Sequence, residues 1–185
     1  MIIDAQGICS PARQCRSPNH DARSMDIELV VIHHISLPPD CYDGDAVLRL
    51  FTNTLEADAD PYYAEVARLR VSSHFFIRRD GTLWQCVPTV ARAWHAGVSN
   101  WRGRERCNDF SLGIELEGNL TDPFTDAQYL TLIPLLKALK ARHPGVRELA
   151  GHEHVAPGRK RDPGPTFDWE RTTRGSGLPL WRSEG

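Results

Sequence analysis

Histidine and carboxylate side chains in two separate segments could together bind a metal ion. His33 and His34 come near the end of the apolar run ELVVIHHIS, and His152 and Asp162 lie in GHEHVAPGRKRDPG, ten residues apart. Neutral imidazole is the most common zinc ligand, and a catalytic zinc has three protein ligands with a fourth position left to water. His33, His152 and Asp162 would supply two nitrogens and one carboxylate oxygen and leave that position free.

Spacing alone does not select these three residues among the eight histidines of the chain. His34 and His154 could replace their neighbours as ligands, and His74 or His95 could compete with them. Successive side chains of a strand point to opposite faces, so at most one of His33 and His34 faces a given site. The residues alone therefore predict a metal site without fixing its histidines.

Strands must bring these segments together. Residues 28–36 are rich in β-branched side chains and predict a buried central strand, and residues 110–119 predict a second one. Residues 70–87 contain two β-rich runs joined at Asp80-Gly81, a dipeptide that favours a tight hairpin turn. Residues 148–165 predict a short strand followed by a loop rich in Pro and Gly.

Helices are expected on either side of the sheet. Apolar residues recur at helical spacing over 46–57, and residues 126–145 predict a long helix that stops at Pro144-Gly145. We therefore predict an α/β (α+β) fold, with one domain over residues 1–185 built on a mixed β-sheet flanked by helices. Residues 1 to about 25 predict an irregular arm, and about 172–185 a loosely held tail.

The bulk composition excludes several classes of protein. The 185 residues include 41% hydrophobic and 25% charged residues, with a formal net charge of -2, so nothing indicates nucleic-acid binding. The N-terminus lacks a signal segment and no apolar run could span a bilayer, so we expect a cytoplasmic protein. Five cysteines without a CxxC pair predict reduced thiols. We expect a monomer.

Three blocks of the sequence carry a resemblance to a known family: VIHHISLPP, RAWHAGVSNWRGRERCNDFSLGIELEG and GHEHVAPGRKRDPGPTFDW. From about residue 15 to about residue 170, the chain resembles the cytoplasmic anhydro-muramyl amidases of the type 2 amidase and peptidoglycan-recognition superfamily. The resemblance implies zinc-dependent hydrolysis of the amide between the lactyl group of a 1,6-anhydro-N-acetylmuramyl peptide and L-alanine. It also implies a role in peptidoglycan recycling, which indirectly limits β-lactamase induction.

The resemblance assigns roles to five residues. His33, His152 and Asp162 match the zinc ligands, Glu115 matches the catalytic acid, and Lys160 matches a lysine placed beside the developing oxyanion. Such an acid is needed because the attacking water must lose a proton that the departing amine later takes up.

Alternation along the strand does not by itself select the catalytic acid. Glu115 and Glu117 fall on one strand face together with Gly113, so the choice of Glu115 comes from the resemblance. Similarly, a lysine between two arginines is more often part of a basic surface patch than of an active site.

Substrate contacts are implied by the same resemblance. Arg70 and Arg106 would bind the peptide carboxylates, since the guanidinium group grips a carboxylate with two hydrogen bonds, and Trp94 would line the sugar groove. His34 stands where the family usually has Asn, and it would contact substrate or face the core. Trp94 and His95 could instead be core side chains.

Two other functions share this fold. A muropeptide-binding module without catalysis would have lost a zinc ligand, whereas this chain has candidates for all three. An enzyme acting on intact murein would be expected to carry a signal segment.

Overall fold

The computed structural model describes residues 1–42 and 44–183 of the chain. Its strands are Ile2–Ile3 (β1), Cys9–Ser10 (β2), Arg13–Gln14 (β3), His20–Ala22 (β4), Leu29–Ile35 (β5), Phe75–Ile77 (β6), Leu83–Gln85 (β7), Ala91–Ala93 (β8), Asn100–Trp101 (β9), Arg104–Glu105 (β10), Ser111–Glu117 (β11) and Glu148–Gly151 (β12). Its α-helices are Ala46–Phe51 (α1), Pro61–Val66 (α2), Asp126–Arg142 (α3), His152–Val155 (α4) and Trp169–Ser176 (α5), and Cys107–Asp109 forms a 3-10 turn.

A mixed sheet with the strand order β12-β5-β11-β6-β7-β3 forms the centre of the fold. β12, β5, β11 and β6 run parallel, β7 runs antiparallel to β6, and β3 runs parallel to β7. The predicted mixed sheet flanked by helices is thus confirmed. The hairpin between β6 and β7 turns at Gly81, whose φ of 83° is a conformation that glycine adopts at little cost.

Alternation along the central strands separates two faces of the sheet. Val30 and Ile32 of β5 join a core that includes the buried leucines of α3, among them Leu135 and Leu136. Val31 points to the other face, where it packs in a cluster with Trp101 and Phe110. Because His33 follows Val31 by two residues, it lies on the face turned away from α3.

The long helix α3 begins at a capping box. The Thr125 hydroxyl accepts a hydrogen bond from the Gln128 amide, and the Gln128 side chain accepts one from the Thr125 amide. The predicted helix over 126–145 is confirmed, with its end at Arg142.

The helix predicted over 46–57 is shorter in the structure. It ends at Phe51, and the backbone cannot continue as a right-handed helix because Asn53 adopts a left-handed φ of 61°. A helix not predicted from the sequence, α2, starts at Pro61, where the Asp60 side chain caps the Tyr62 amide at 2.8 Å.

The two ends of the chain are more ordered than predicted. Within residues 1–25, β1 pairs with β2, β3 joins the main sheet and β4 pairs with β8. The C-terminal segment carries part of α5. The Leu149 amide donates to the Pro179 carbonyl and the Leu149 carbonyl accepts from the Trp181 amide, which places the segment beside β12. Residues 172–183 are therefore not a loosely held tail; Glu184 and Gly185 lie outside the described residues.

All five cysteines are free thiols, as predicted. Among the described residues, no helix combines the length and apolar character needed to cross a bilayer.

Candidate metal centre

Two neighbouring parallel strands bring the candidate ligands together. His33 lies near the carboxyl end of β5, and His152 follows directly after β12, the strand paired with β5. The loop after α4 carries Asp162 back to them, and a hydrogen bond of 2.8 Å from the Glu153 amide to the Asp162 carbonyl fixes this loop to the helix. The carboxyl ends of parallel strands meet at one edge of a sheet, which explains how residues 119 positions apart become neighbours.

The three candidate ligand atoms lie within hydrogen-bonding distance of one another. His33 Nδ1 and His152 Nδ1 are 2.9 Å apart, and Asp162 Oδ2 lies 3.1 Å from the first and 3.0 Å from the second. The side chains of His33 and His152 are only 1% and 4% exposed, and that of Asp162 is 13% exposed. The site is thus a nearly dry cluster of three metal-binding atoms.

The chemistry of these atoms fits a divalent metal ion. His152 Nε2 lies 3.0 Å from the Ala96 carbonyl, which can only accept, so this nitrogen carries the proton and Nδ1 presents a lone pair. Burial, and then the nearby His152, lower the pKa of His33 to about 4, which keeps this imidazole neutral. Three lone-pair atoms this close repel one another unless a cation lies between them. Zinc ligands at about 2.0–2.1 Å in a tetrahedron are separated by about 3.3 Å, close to the spacing here.

Asp162 supplies the negative charge of the site. A carboxylate with two imidazoles is a ligand set typical of catalytic zinc sites.

A cavity of about 570 Å³ leads to these three residues. Glu115 and Lys160 also line it, and its apolar side includes Phe51, Tyr62 and Val66 from α1, α2 and their surroundings. The cavity therefore joins a polar floor to an apolar wall, as small-molecule sites commonly do.

Glu115 lies directly opposite His33 in the pairing of β11 with β5. It is 8% exposed, and its Oε2 has no hydrogen-bond partner among the residues that the structure describes. Burial, and then the charge of Asp162, raise the pKa of Glu115 well above its ordinary value. A carboxyl group in this environment readily holds a proton beside the metal ligands.

Glu117 occupies a different environment, although it shares the strand face of Glu115. Its carboxylate accepts a hydrogen bond of 2.9 Å from the Arg79 amide, and it does not line the cavity. The structure thus separates two acids that alternation alone could not separate.

Lys160, His34 and Trp94 line the cavity, as expected for residues that contact substrate. Lys160 is exposed, and the His34 Nδ1 atom is buried without a hydrogen-bond partner within the described part of the chain. The Trp94 indole donates to Asp21 at 2.7 Å, which orients the ring at the rim.

Arg70 and Arg106 are not brought into this cavity. Within the described part of the chain, the Arg70 guanidinium donates to the backbone carbonyls of Ala67 and Arg68, the nearer being Arg68 at 3.4 Å. The Arg106 side chain is 73% exposed, pairs with Asp109 at 3.2 Å and lines a separate cavity of about 470 Å³. The resemblance implies substrate contacts for both arginines, but neither lines the cavity that holds the candidate metal ligands.

Comparison with known proteins identifies the family. The profile of the family described as N-acetylmuramoyl-L-alanine amidase matches residues 23–165. The chain belongs to this amidase family. The matched region contains every candidate metal ligand together with Glu115 and Lys160.

Relatives within the amidase family extend over nearly the whole chain. The 1,6-anhydro-N-acetylmuramyl-L-alanine amidase AmpD of Salmonella typhimurium is 53% identical over 173 residues, which cover 92% of each chain. A crystal structure of AmpD superposes with a TM-score of 0.92 at 49% identity and covers 95% of this chain and 99% of that one.

A more distant member has been solved with a ligand. The amidase AmiD of E. coli, in complex with the substrate anhydro-N-acetylmuramic acid-L-Ala-D-gamma-Glu-L-Lys, has a TM-score of 0.62 and 30% identity. The alignment covers 99% of this chain and 68% of that one.

Residues that support the ligands were missed or left open by sequence reasoning. The sequence indicates His95 only as a core imidazole or a competing ligand, and no spacing points to Asn108. His95 contacts the ligand cluster directly at His33, whereas Asn108 contacts the backbone amides of His95 and Ala96.

Proposed function

We propose that this chain is a zinc-dependent amidase that cleaves the bond between the lactyl group and L-alanine in 1,6-anhydro-N-acetylmuramyl peptides, as a step in peptidoglycan recycling. The observation that carries the proposal is the convergence of His33, His152 and Asp162 on one point in the cavity that Glu115 also lines, where the Glu115 Oε2 atom has no hydrogen-bond partner among the described residues. The high identity to AmpD across most of the chain supports the substrate, and the ligand of AmiD supports the substrate class.

His33, His152 and Asp162 would hold the zinc ion, which when bound acts as a Lewis acid toward a carbonyl oxygen and a water molecule. Glu115 accepts the proton that the attacking water loses, and its raised pKa suits that task. When the C–N bond breaks, Glu115 passes this proton to the nitrogen of the leaving L-alanine. The carboxylate thereby returns to its starting state.

Lys160 would stabilise the negative charge that develops on the carbonyl oxygen during attack. Its ammonium group lines the cavity from the same loop that carries Asp162, so it faces the substrate from the side of the metal ligands. A hydrogen-bond donor aimed at a developing oxyanion contributes more in a water-poor site than in bulk water.

Four further residues would contact parts of the substrate away from the cleaved bond. His34 and Trp94 would contact substrate inside the cavity, whereas Arg70 and Arg106 could meet only groups that extend beyond it. We further propose that the enzyme is a cytoplasmic monomer that acts on soluble muropeptides, by likeness to AmpD, with no nucleic-acid or membrane partner.

The decisive experiment compares cleavage with metal content. Wild-type protein is incubated with a purified anhydro-muramyl tripeptide, the products are identified by mass spectrometry, and zinc is measured by elemental analysis. Replacing Glu115 with Gln should lower kcat by about 10²–10⁴-fold while zinc remains bound, because a general acid–base group is lost but no ligand is.

Glu117→Gln is the matched control, since it alters an acid on the same strand face that lies outside the cavity; this variant should retain activity. Wild-type protein that holds zinc but releases no peptide would indicate a binding module instead. Preferential cleavage of intact sacculi over the soluble muropeptide would instead indicate an enzyme that acts on intact murein.

A further inference from the structure

His95 connects the candidate ligand His33, through Ser111, to the backbone of the 3-10 turn at Cys107. Its Nδ1 lies 3.0 Å from His33 Nε2, and its Nε2 lies 3.2 Å from the Ser111 hydroxyl. Ser111 in turn donates to the Cys107 carbonyl at 2.5 Å. These side chains are buried, so water does not compete for the bonds.

The Cys107 carbonyl is the last group in this series of hydrogen bonds, and it determines the direction of every bond in the series. The Cys107 carbonyl can only accept, so the Ser111 hydroxyl donates to it and uses a lone pair to accept from His95 Nε2. His95 then carries its proton on Nε2 and offers Nδ1 as an acceptor to His33 Nε2–H. His33 is left with an unprotonated Nδ1, the atom that faces His152 and Asp162.

The adjacent residue performs the same task for the second histidine ligand. The Ala96 carbonyl accepts from His152 Nε2 at 3.0 Å and is also contacted by Arg159 at 2.6 Å. Two consecutive residues therefore determine, one by its side chain and one by its carbonyl, which nitrogen each ligand presents.

Asn108 holds this pair of residues in place. Its Oδ1 accepts hydrogen bonds from the backbone amides of His95, at 3.1 Å, and Ala96, at 2.8 Å. Asn108 is itself buried in the 3-10 turn, and its carbonyl accepts from Arg23. Asn108 makes no hydrogen bond to a candidate metal ligand in the described structure, so any influence on the metal passes through residues 95 and 96.

We propose that His95 and Ala96, clamped by Asn108, form a common support that positions both histidine ligands and fixes the nitrogen that each directs at the metal. His95 acts on His33 alone, whereas Asn108 acts on His33 and His152 together. Both are positioning residues. The inference rests on the zinc site of the proposed function, and the experiment therefore measures zinc binding rather than turnover.

Zinc affinity is measured by competition with a chromophoric chelator for the wild type and four variants. His95→Phe keeps a buried ring but removes the acceptor, and it should weaken zinc binding by about 10–100-fold, as loss of such supporting hydrogen bonds does elsewhere. His95→Asn places an amide oxygen near the position of Nδ1 and should recover much of the affinity. Asn108→Ala should weaken binding, and Asn108→Asp, which keeps the acceptor oxygen, should restore it.

Two controls separate support from general stability. Asn19→Ala removes another buried amide, which bonds Asn53 and the Val71 carbonyl, and His143→Phe removes an imidazole that bonds Thr89. Both lie apart from the metal ligands and should leave zinc affinity within about twofold of wild type, whatever they do to the melting temperature of the zinc-free protein.

Nitrogen-15 NMR of the zinc-loaded wild type gives a readout that needs no variant to fold. His95 should appear as the neutral form protonated on Nε2, with a coupling across the hydrogen bond to His33 Nε2. In Asn108→Ala the imidazole signals of His33 and His152 should both move, whereas in His95→Phe the larger change should fall on His33.

The outcomes are distinct. If the wild-type protein fails to bind zinc, the metal site itself is refuted, and with it the proposed function. If the wild type binds zinc and His95→Phe and Asn108→Ala bind it equally well, only the proposed support by His95, Ala96 and Asn108 is refuted. A His95 protonated on Nδ1 in the loaded protein would overturn it as well.

Discussion

Replacing Gly113 with Ala should damage the metal centre by pushing on His95. A Cβ atom at Gly113 would lie 2.5 Å from Cγ, 2.8 Å from Nδ1 and 2.9 Å from Cδ2 of the His95 ring. Ordinary van der Waals contact begins near 3.4 Å, so the ring would have to retreat by about 0.9 Å. The ring is bonded at both nitrogens and lines the cavity, so it can retreat only toward the cavity and only by straining these hydrogen bonds.

The expected size of the effect follows from this geometry. A displacement of about 0.9 Å exceeds the tolerance of a 3.0 Å hydrogen bond, so the contact with His33 should be lost or badly bent. Overpacking of a buried site costs about 1–3 kcal/mol of folding free energy. Zinc affinity should fall by about 10–100-fold. On backbone propensity alone, Ala in a strand interior would stabilise the protein by about 0.5–1 kcal/mol. A loss of stability in Gly113→Ala would therefore indicate the clash with His95.

The assay is urea unfolding of the zinc-free protein together with chelator competition for zinc. Gly175→Ala is the matched control, because its Cβ would lie 2.7 Å from the Ile133 Cδ1 atom in a region remote from the metal ligands. Whatever its effect on stability, the control should bind zinc normally, since no ligand or support is displaced. A Gly113→Ala protein as stable as wild type, with wild-type zinc affinity, would refute the reasoning.

Three further predictions address the metal, the oxyanion and pH. Removal of zinc with a chelator should lower the melting temperature, because zinc at 1,000 times its Kd stabilises the folded state by about 4 kcal/mol; calorimetry with and without added zinc measures this, and equal melting temperatures would contradict it. Lys160→Met should lower kcat by about 10²–10³-fold with little change in zinc content, as loss of one oxyanion donor does, and steady-state kinetics decide. Burial, then Arg142 and Arg23, lower the pKa of His143 to about 4, so the unfolded chain takes up the proton first and stability should be lost as pH falls from about 6.5 toward 4. The free energy of unfolding of His143→Gln should fall less than that of wild type over that pH interval. An equal pH dependence of the unfolding free energy in the two proteins would exclude the effect.

The central strands and the candidate metal ligands were accessible from the sequence because their signals are local. A continuous run of β-branched residues predicts β5, and the residue types around His152 and Asp162 predict a metal half-site. The resemblance then resolved the choice of histidines that spacing had left undecided. The structure agrees in bringing His33, His152 and Asp162 together.

Errors arose where backbone conformation or distant strands override a local pattern. Apolar spacing continues past Phe51, but the left-handed backbone of Asn53 prevents the helix from continuing. The C-terminal segment looks like a polar tail in sequence, yet it pairs with β12, a partner that only the folded chain supplies. Asn108 escaped notice for the same reason, since it acts on two backbone amides that lie 13 and 12 residues before it.

Strand register, rather than strand alternation, assigns the roles on β11. Gly113, Glu115 and Glu117 follow one another on a single face, and each meets a different level of β5: Val31, His33 and Ile35. At the first level the absence of a side chain leaves room for the His95 ring, at the second a carboxyl faces a metal ligand, and at the third a carboxylate anchors the Arg79 amide. A slip of two residues would place Glu117 opposite His33 and fill the space of His95 with a carboxyl, whereas a slip of one would turn the whole set toward α3. The chemistry proposed for the site therefore depends on a pairing between strands about 80 residues apart, which is why neither acid could be chosen from periodicity.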